Sequence, residues 1–239
     1  MKKHIPNFIT SLNLTSGFIS IIYALNGDIR TSAWLILAAM VFDFLDGFSA
    51  RLLKAYSPVG RELDSLADVV SFGVAPAIIS YLLIRDSFTG TYEPLLIMII
   101  PAFMAVCAAL RLAIFNLDET QATSFKGLPT PANALAVVSI VIADSYSGSS
   151  LTGFITSSPL TLIIIVIMLS VLMVTRIPLL SLKTTSIRFR GNEGRYLLIT
   201  AVAAVIIIFG MAGAVMVIPI YIIVSLISLL FRKPLLETR

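Results

Sequence analysis

Of the 17 lysines and arginines in this chain, 15 fall on one side of an alternation set by its apolar runs. That alternation most constrains the fold. Eight runs approach the length of about 20 residues that crosses a bilayer. They cover approximately 7–27, 31–53, 62–84, 94–116, 131–148, 158–175, 194–210 and 212–231. With eight crossings, both ends and every second connection share a side. That side collects Lys2, Lys3, Arg51, Lys54, Arg61, Arg111, Lys126, Arg176, Lys183, Arg188, Arg190, Arg195, Arg232, Lys233 and Arg239, and leaves Arg30 and Arg85 opposite. Lys and Arg hold short loops on the cytoplasmic side. The expectation is an all-α polytopic integral membrane protein of about eight transmembrane helices, with both termini cytoplasmic. Only 13% of residues are charged, against roughly 25% in a soluble domain.

No connection is long enough to stand as a soluble domain, so the chain reads as one membrane domain over 1–239. Its chemistry is expected in the helices of about 7–135, followed by the remaining spans of 136–239. The start M-K-K-H-I-P-N has no small-residue cleavage site after its first apolar stretch, which predicts a retained span. The basic loop from about Arg176 to Arg195 predicts an anchor on the lipid surface. Nucleic-acid binding would need a basic surface with stacking aromatics, which the sequence does not offer. Cys107, the single cysteine, lies in an apolar run and reads as a small buried residue. His4 reads as solvated. One His and one Cys leave no soft-ligand metal site, so any metal must be held by oxygen.

Against this background four acids stand out: Asp43, Asp46, Asp64 and Asp68, all within 26 residues. Their frame is D-x2-D-G-x2-A-R-x8-G-x3-D-x3-D. Carboxylates in membrane helices are costly and default to a functional reading. At about 100° per residue, Asp43, Asp46, Gly47 and Ala50 share one helical face. Asp64 and Asp68 share a face on the next helix. A short turn through Tyr56, Ser57, Pro58 and Gly60 brings the two pairs to one depth, near the inner headgroups. Four anions so close need counter-charge. Two divalent cations about 4 Å apart would supply it and suit phosphoryl transfer. Small residues beside the acids would let a ligand approach the backbone. Structural alternatives stand beside this reading. Gly47 and Ala50 could serve helix packing, Asp43 and Asp46 could pair with Arg51 or Lys54, and Asp64 could sit at a helix start.

This frame resembles, at every position, the signature of the CDP-alcohol phosphatidyltransferase family. The resemblance implies an integral membrane enzyme that moves a substituted phosphate from a CDP-linked donor to an alcohol and releases CMP. It implies that Asp43, Asp46, Asp64 and Asp68 bind two Mg²⁺ or Mn²⁺ ions, with Asp68 also acting as general base. It implies that Gly47, Arg51 and Ser57 contact the CDP moiety, beside Ala50. The stretch P-N-F-I-T is similar to the family's entry into its first span, where Asn7 and Thr10 would touch the nucleotide.

Three further stretches resemble the branch whose donor is CDP-diacylglycerol and whose acceptor is L-serine. They are P-N-F-I-T-S-L-N-L-T-S-G, D-V-V-S-F-G-V-A-P-A, and L-R-L-A-I-F-N followed by F-K-G-L-P-T-P-A. Serine carries a carboxylate, which asks for a cation, and Arg111 and Lys126 are the residues expected to bind the acceptor. Glycerol 3-phosphate or inositol phosphate would also want cations, so acceptor choice rests on resemblance. The implied setting is the cell membrane, with lipid as partner and the active site facing the cytoplasm. A homodimer is left open. From another class, a divalent-cation transporter would also explain intramembrane carboxylates. Against it, Asp144 is the one acid near the outer ends of the spans apart from loop residues.

Overall fold

A computed structural model describes residues 4–88, 95–117, 125–148, 150–180 and 192–231. Helix α1 (His4–Leu25) ends in a turn where Gly27 adopts φ +88°. Asp28 then caps α2 (Ile29–Leu53), its carboxylate accepting from the Thr31 amide at 2.9 Å. Hydrogen bonds from Thr31 hold the Asp28 carboxyl below its ordinary range. The two helices form an antiparallel pair. At their seam Ser20 Oγ donates to the Ser32 carbonyl at 3.0 Å. Small polar residues let helix backbones approach closely and bond inside an apolar medium.

Lys54 ends α2 in the left-handed region at φ 50°, and its amide reaches back to the Ala50 and Arg51 carbonyls. Three residues later Ser57 caps α3 (Pro58–Asp68), accepting from the Gly60 amide at 3.0 Å, with Pro58 in the first turn. The sequence placed this span's start at 62; the cap moves it to Pro58. A π-helical turn (Val69–Val74) joins α3 to α4 (Ala75–Ser87), so Pro58–Ser87 forms one 30-residue rod.

After α5 (Leu95–Leu117) come the two-residue strand β1 (Phe125–Lys126), α6 (Thr130–Ser147), the short α7 (Ser150–Ser157) and α8 (Pro159–Val174). Strand β2 (Pro178–Leu179) pairs antiparallel with β1. Helix α9 (Glu193–Phe209), a 3-10 segment (Gly210–Met216) and α10 (Val217–Phe231) complete the described chain. Gly194 lies against Ser228, and Gly213 against the Val205 backbone, so this last stretch doubles back on itself. The core is centred on α6, where Ala134, Val138 and Ala143 are fully buried, and on Phe72 of the π turn.

The fold is all-α and polytopic. Among the described residues five stretches are long and apolar enough to cross a membrane: His4–Leu25, Ile29–Leu53, Pro58–Ser87, Ile97–Leu117 and Glu193–Ser228. Pro159–Val174 is a shorter apolar helix. Large apolar side chains face outward where a soluble protein would place polar ones; Ile207 is 82% exposed and Leu52 70%. Lipid is the solvent such a surface fits.

Candidate active site

The turn between Lys54 and Ser57 joins α2 to α3, and helix α1 packs against both. Asp43 from α2 and Asp64 and Asp68 from α3 thereby bring carboxylate oxygens within 4.8 Å of one another. Asp46 stands outside this trio, beside Thr10 of α1. Asp46 and Asp68 are buried. Asp46 Oδ2 and Asp64 Oδ1 are buried with no hydrogen-bond partner. An unsatisfied buried polar atom costs about 1–3 kcal/mol, and more if charged.

The structural alternatives for these acids do not hold. Among the described residues none of these acids has an ion-pair partner; Arg85 and Asp86 pair at the opposite end of the Pro58–Ser87 rod. Arg51 and Lys54 therefore do not neutralise Asp43 and Asp46. Asp64 lies well inside α3 rather than at its start. The oxygens converge without cationic protein side chains, in a donor set of carboxylates alone. That arrangement fits hard divalent cations.

Next to the acids opens a cleft of about 910 Å³. Helix α1 contributes Asn7 and Thr10 to its walls, and α2 contributes Asp43, Asp46, Gly47, Ala50 and Arg51. Ser57 from the turn and Gly60 and Asp64 from α3 complete that side. All six residues expected to meet the CDP-lipid thus line one cavity. A Cβ added at Gly47 would meet nothing within 4 Å. Helix packing does not account for this glycine, because its open side faces the cleft. Gly60 is different. A Cβ there would lie 2.9 Å from Asn7 Oδ1 and 2.9 Å from Ser57 Oγ, so its missing side chain lets α1 close against α3.

Asp68 sits behind the cleft and is not part of its lining. Its carboxylate Oδ1 accepts from Asn13 Nδ2 of α1 at 3.1 Å. Asn13 is fully buried, and the sequence reading passed over it. The available signal was weak: one of two amides in a span that also carries several Ser and Thr.

Helix α5 runs antiparallel to the α3–α4 rod. Asn116 Nδ2 donates to Ser65 Oγ at 2.8 Å, Arg61 donates to the Asn116 carbonyl, and Gly73 packs against Ala108. Between those contacts α5 carries Arg111, which neighbours Tyr221 of α10. Arg111 is buried, its guanidinium 5.2 Å from the Phe115 ring centroid and its Nε without a partner. It does not line the cleft. Lys126, the other residue expected at the acceptor, pairs through its backbone in β1, and its side chain lies outside the described residues.

A family model described as CDP-alcohol phosphatidyltransferase matches residues 3–231. The chain belongs to the CDP-alcohol phosphatidyltransferase family. Among curated family proteins it is similar to the CDP-diacylglycerol–serine O-phosphatidyltransferase of Helicobacter pylori, 39% identical over 142 residues. That match covers 59% of this chain and 58% of the relative. The protein of the same name from Bacillus subtilis is 35% identical over 136 residues, covering 57% of this chain and 74% of its own. Archaetidylserine synthase of Methanothermobacter thermautotrophicus is 36% identical over 175 residues, 72% of this chain and 68% of that one. The Asp43–Asp68 frame and the cleft beside it lie within the residues that the family model matches.

Proposed function

We propose that this protein transfers a phosphatidyl group from CDP-diacylglycerol to the hydroxyl of L-serine, giving phosphatidylserine and CMP. One observation carries the reading. The cleft lined by Asn7, Thr10, Gly47, Ala50, Arg51 and Ser57 opens beside carboxylates whose buried oxygens lack protein partners. The Helicobacter pylori and Bacillus subtilis relatives are named for transfer to serine, which supports serine as the acceptor.

In this reading the cytidine occupies the open face of Gly47 and Ala50, within reach of Asn7, Thr10 and Ser57. Arg51, exposed at the cleft wall, offers its guanidinium to phosphate oxygens. The acyl chains stay in lipid. Two Mg²⁺ or Mn²⁺ ions held by Asp43, Asp46, Asp64 and Asp68 would bind diphosphate oxygens and offset the charge of the departing CMP. The serine hydroxyl attacks the β-phosphorus, the bond from that phosphorus to the CMP oxygen breaks, and Asp68 takes the hydroxyl proton. A positioned general base contributes typically about 10²–10⁴-fold. Arg111, buried on the neighbouring helix α5, holds the serine carboxylate, and Lys126 assists from the following loop.

The acceptor is tested by CMP release from CDP-diacylglycerol with L-serine, glycerol 3-phosphate or inositol phosphate. Turnover with serine alone is the expected result; preference for either phosphorylated acceptor would reassign the enzyme within its family. Divalent-cation flux into vesicles without CMP release would instead indicate a transporter. Arg111→Met should raise the KM for serine about 10-fold or more, since a hydrogen bond to a charged group contributes about 1.5–3 kcal/mol. The KM for CDP-diacylglycerol should change little, because only one substrate loses a contact. An unchanged serine KM would remove Arg111 from the acceptor site.

The reading places the site on the cytoplasmic face of the cell membrane, with both termini on that side. Asn26 and Glu193 are exposed at opposite expected faces. In a Cys107→Ala background, a cysteine at Glu193 should react with an impermeant thiol reagent only after the membrane is opened. A cysteine at Asn26 should react in intact cells. The reverse pattern would put the cleft on the wrong leaflet.

A further inference from the structure

Asn13 is a fully buried amide of α1 that the CDP-lipid cleft leaves unexplained. It is 0% exposed, two helical turns from Pro6, and does not line the cleft. Its Nδ2 donates to Asp68 Oδ1 at 3.1 Å, across 55 residues of sequence. A carboxylate only accepts, so the amide must present its nitrogen. Its own Oδ1 is left buried without a donor. A leucine of similar size would fill the space without that cost.

The surrounding contacts fix Asn13 against the segment that carries Asp68. Ser71 Oγ, in the π turn, donates to the Asn13 carbonyl at 3.0 Å. One turn further along α1, a Cβ at Gly17 would lie 2.7 Å from Ser71 Cα, so the helices touch backbone to backbone there. On the other side, Asn133 Nδ2 of α6 reaches the Phe72 carbonyl at 3.4 Å. A π turn shifts the residues that follow it relative to an α-helical path, and such turns occur often at functional sites. Here the turn begins immediately after Asp68 and is held from two sides by these contacts.

We infer that Asn13 is a positioning residue for Asp68: by engaging Oδ1 from α1, it fixes the orientation in which that carboxylate joins Asp43 and Asp64. The inference rests on the metal-site reading of those acids. It adds α1 to a site whose signature lies entirely on α2 and α3. Groups that orient a metal ligand typically contribute about 10–100-fold to metal affinity.

The test uses the full-length protein in detergent and measures Mn²⁺ binding without lipid substrate. Asn13→Leu should weaken Mn²⁺ binding about 10–100-fold. In an Asp68→Asn background the same substitution should change affinity less than about 2-fold, because its effect passes through Asp68. Equal losses in both backgrounds, or wild-type affinity in Asn13→Leu, would overturn the inference. If Asn13→Leu does not fold, Asn13→Ala is read by the same criteria. Failure of both to fold would mark Asn13 as a core residue and also overturn it. Asp43→Asn and Asp64→Asn separate the two levels. If they leave Mn²⁺ binding intact, the metal-site reading fails. If they remove it while Asn13→Leu does not weaken it, only the role of Asn13 fails.

Discussion

Replacing Asp43 or Asp64 with asparagine is expected to lower CMP release about 10²–10³-fold, the scale of losing one preorganised electrostatic contact to the reacting phosphate. The substitution keeps shape and removes charge. It should not harm the fold, because neither carboxylate supports the structure through an ion pair. Arg85 and Asp86 form an ion pair away from this site. In metal-free protein the trio of carboxylates, within 4.8 Å, is a source of repulsion. Each Asp→Asn variant in chelator should therefore unfold at the same temperature as the parent or a higher one. A purely structural role for these acids requires the opposite. EDTA should abolish turnover in the parent, and Mg²⁺ or Mn²⁺ should restore it. Full activity in chelator, or a Asp64→Asn variant that is merely unstable, would sink the assignment.

What the sequence made legible here depends on the range of the interaction. The acids could be placed because their geometry is local. A period of 3.6 residues sets the faces, and Ser57 and Pro58 set the turn between the helices. Gly47 and Ala50 were readable for the same reason, since a small residue on an acidic face is a statement about one helix. The residues that hold Asp68 were not readable in this way. Asn13 lies 55 residues from its partner, and Asn133 lies 61 from the Phe72 carbonyl. Nothing in the neighbourhood of either amide names the other end. The π turn at Val69–Val74 also escaped notice, because V-V-S-F-G-V is apolar and continuous by hydropathy. Helix α6 (Thr130–Ser147) falls within a residue of the 131–148 read from the sequence, but its burial as a core helix was not readable from hydropathy. The break within Glu193–Ser228 falls where the sequence divides 194–210 from 212–231, but the close contact of Gly213 with the Val205 backbone that accompanies it is not something composition can show. Arg111 was chosen for its charge near a membrane face. Its burial came only from the packing of α5 on the π turn.

Gly47→Leu is expected to weaken CDP-diacylglycerol binding about 5–150-fold, from the roughly 1–3 kcal/mol that overfilling a fitted space costs. The folded protein should tolerate it. No atom lies within 4 Å of the added Cβ. Replacing a helix-interior glycine with a better helix former also favours the fold by about 0.5–1 kcal/mol. A thermal midpoint equal to or above that of the parent, together with lost lipid binding, is the expected pair of results. Mn²⁺ binding without lipid should be unaffected, because the leucine enters the cleft and leaves the carboxylates in place. Gly60 supplies the contrast, since there a side chain would press on Asn7 and Ser57. Gly60→Leu should therefore lose stability as well as binding, by forcing α1 away from α3. If Gly47→Leu binds CDP-diacylglycerol as tightly as the parent, the open face of α2 is not where the nucleotide lies, and the cleft must hold it against α1 and α3 instead.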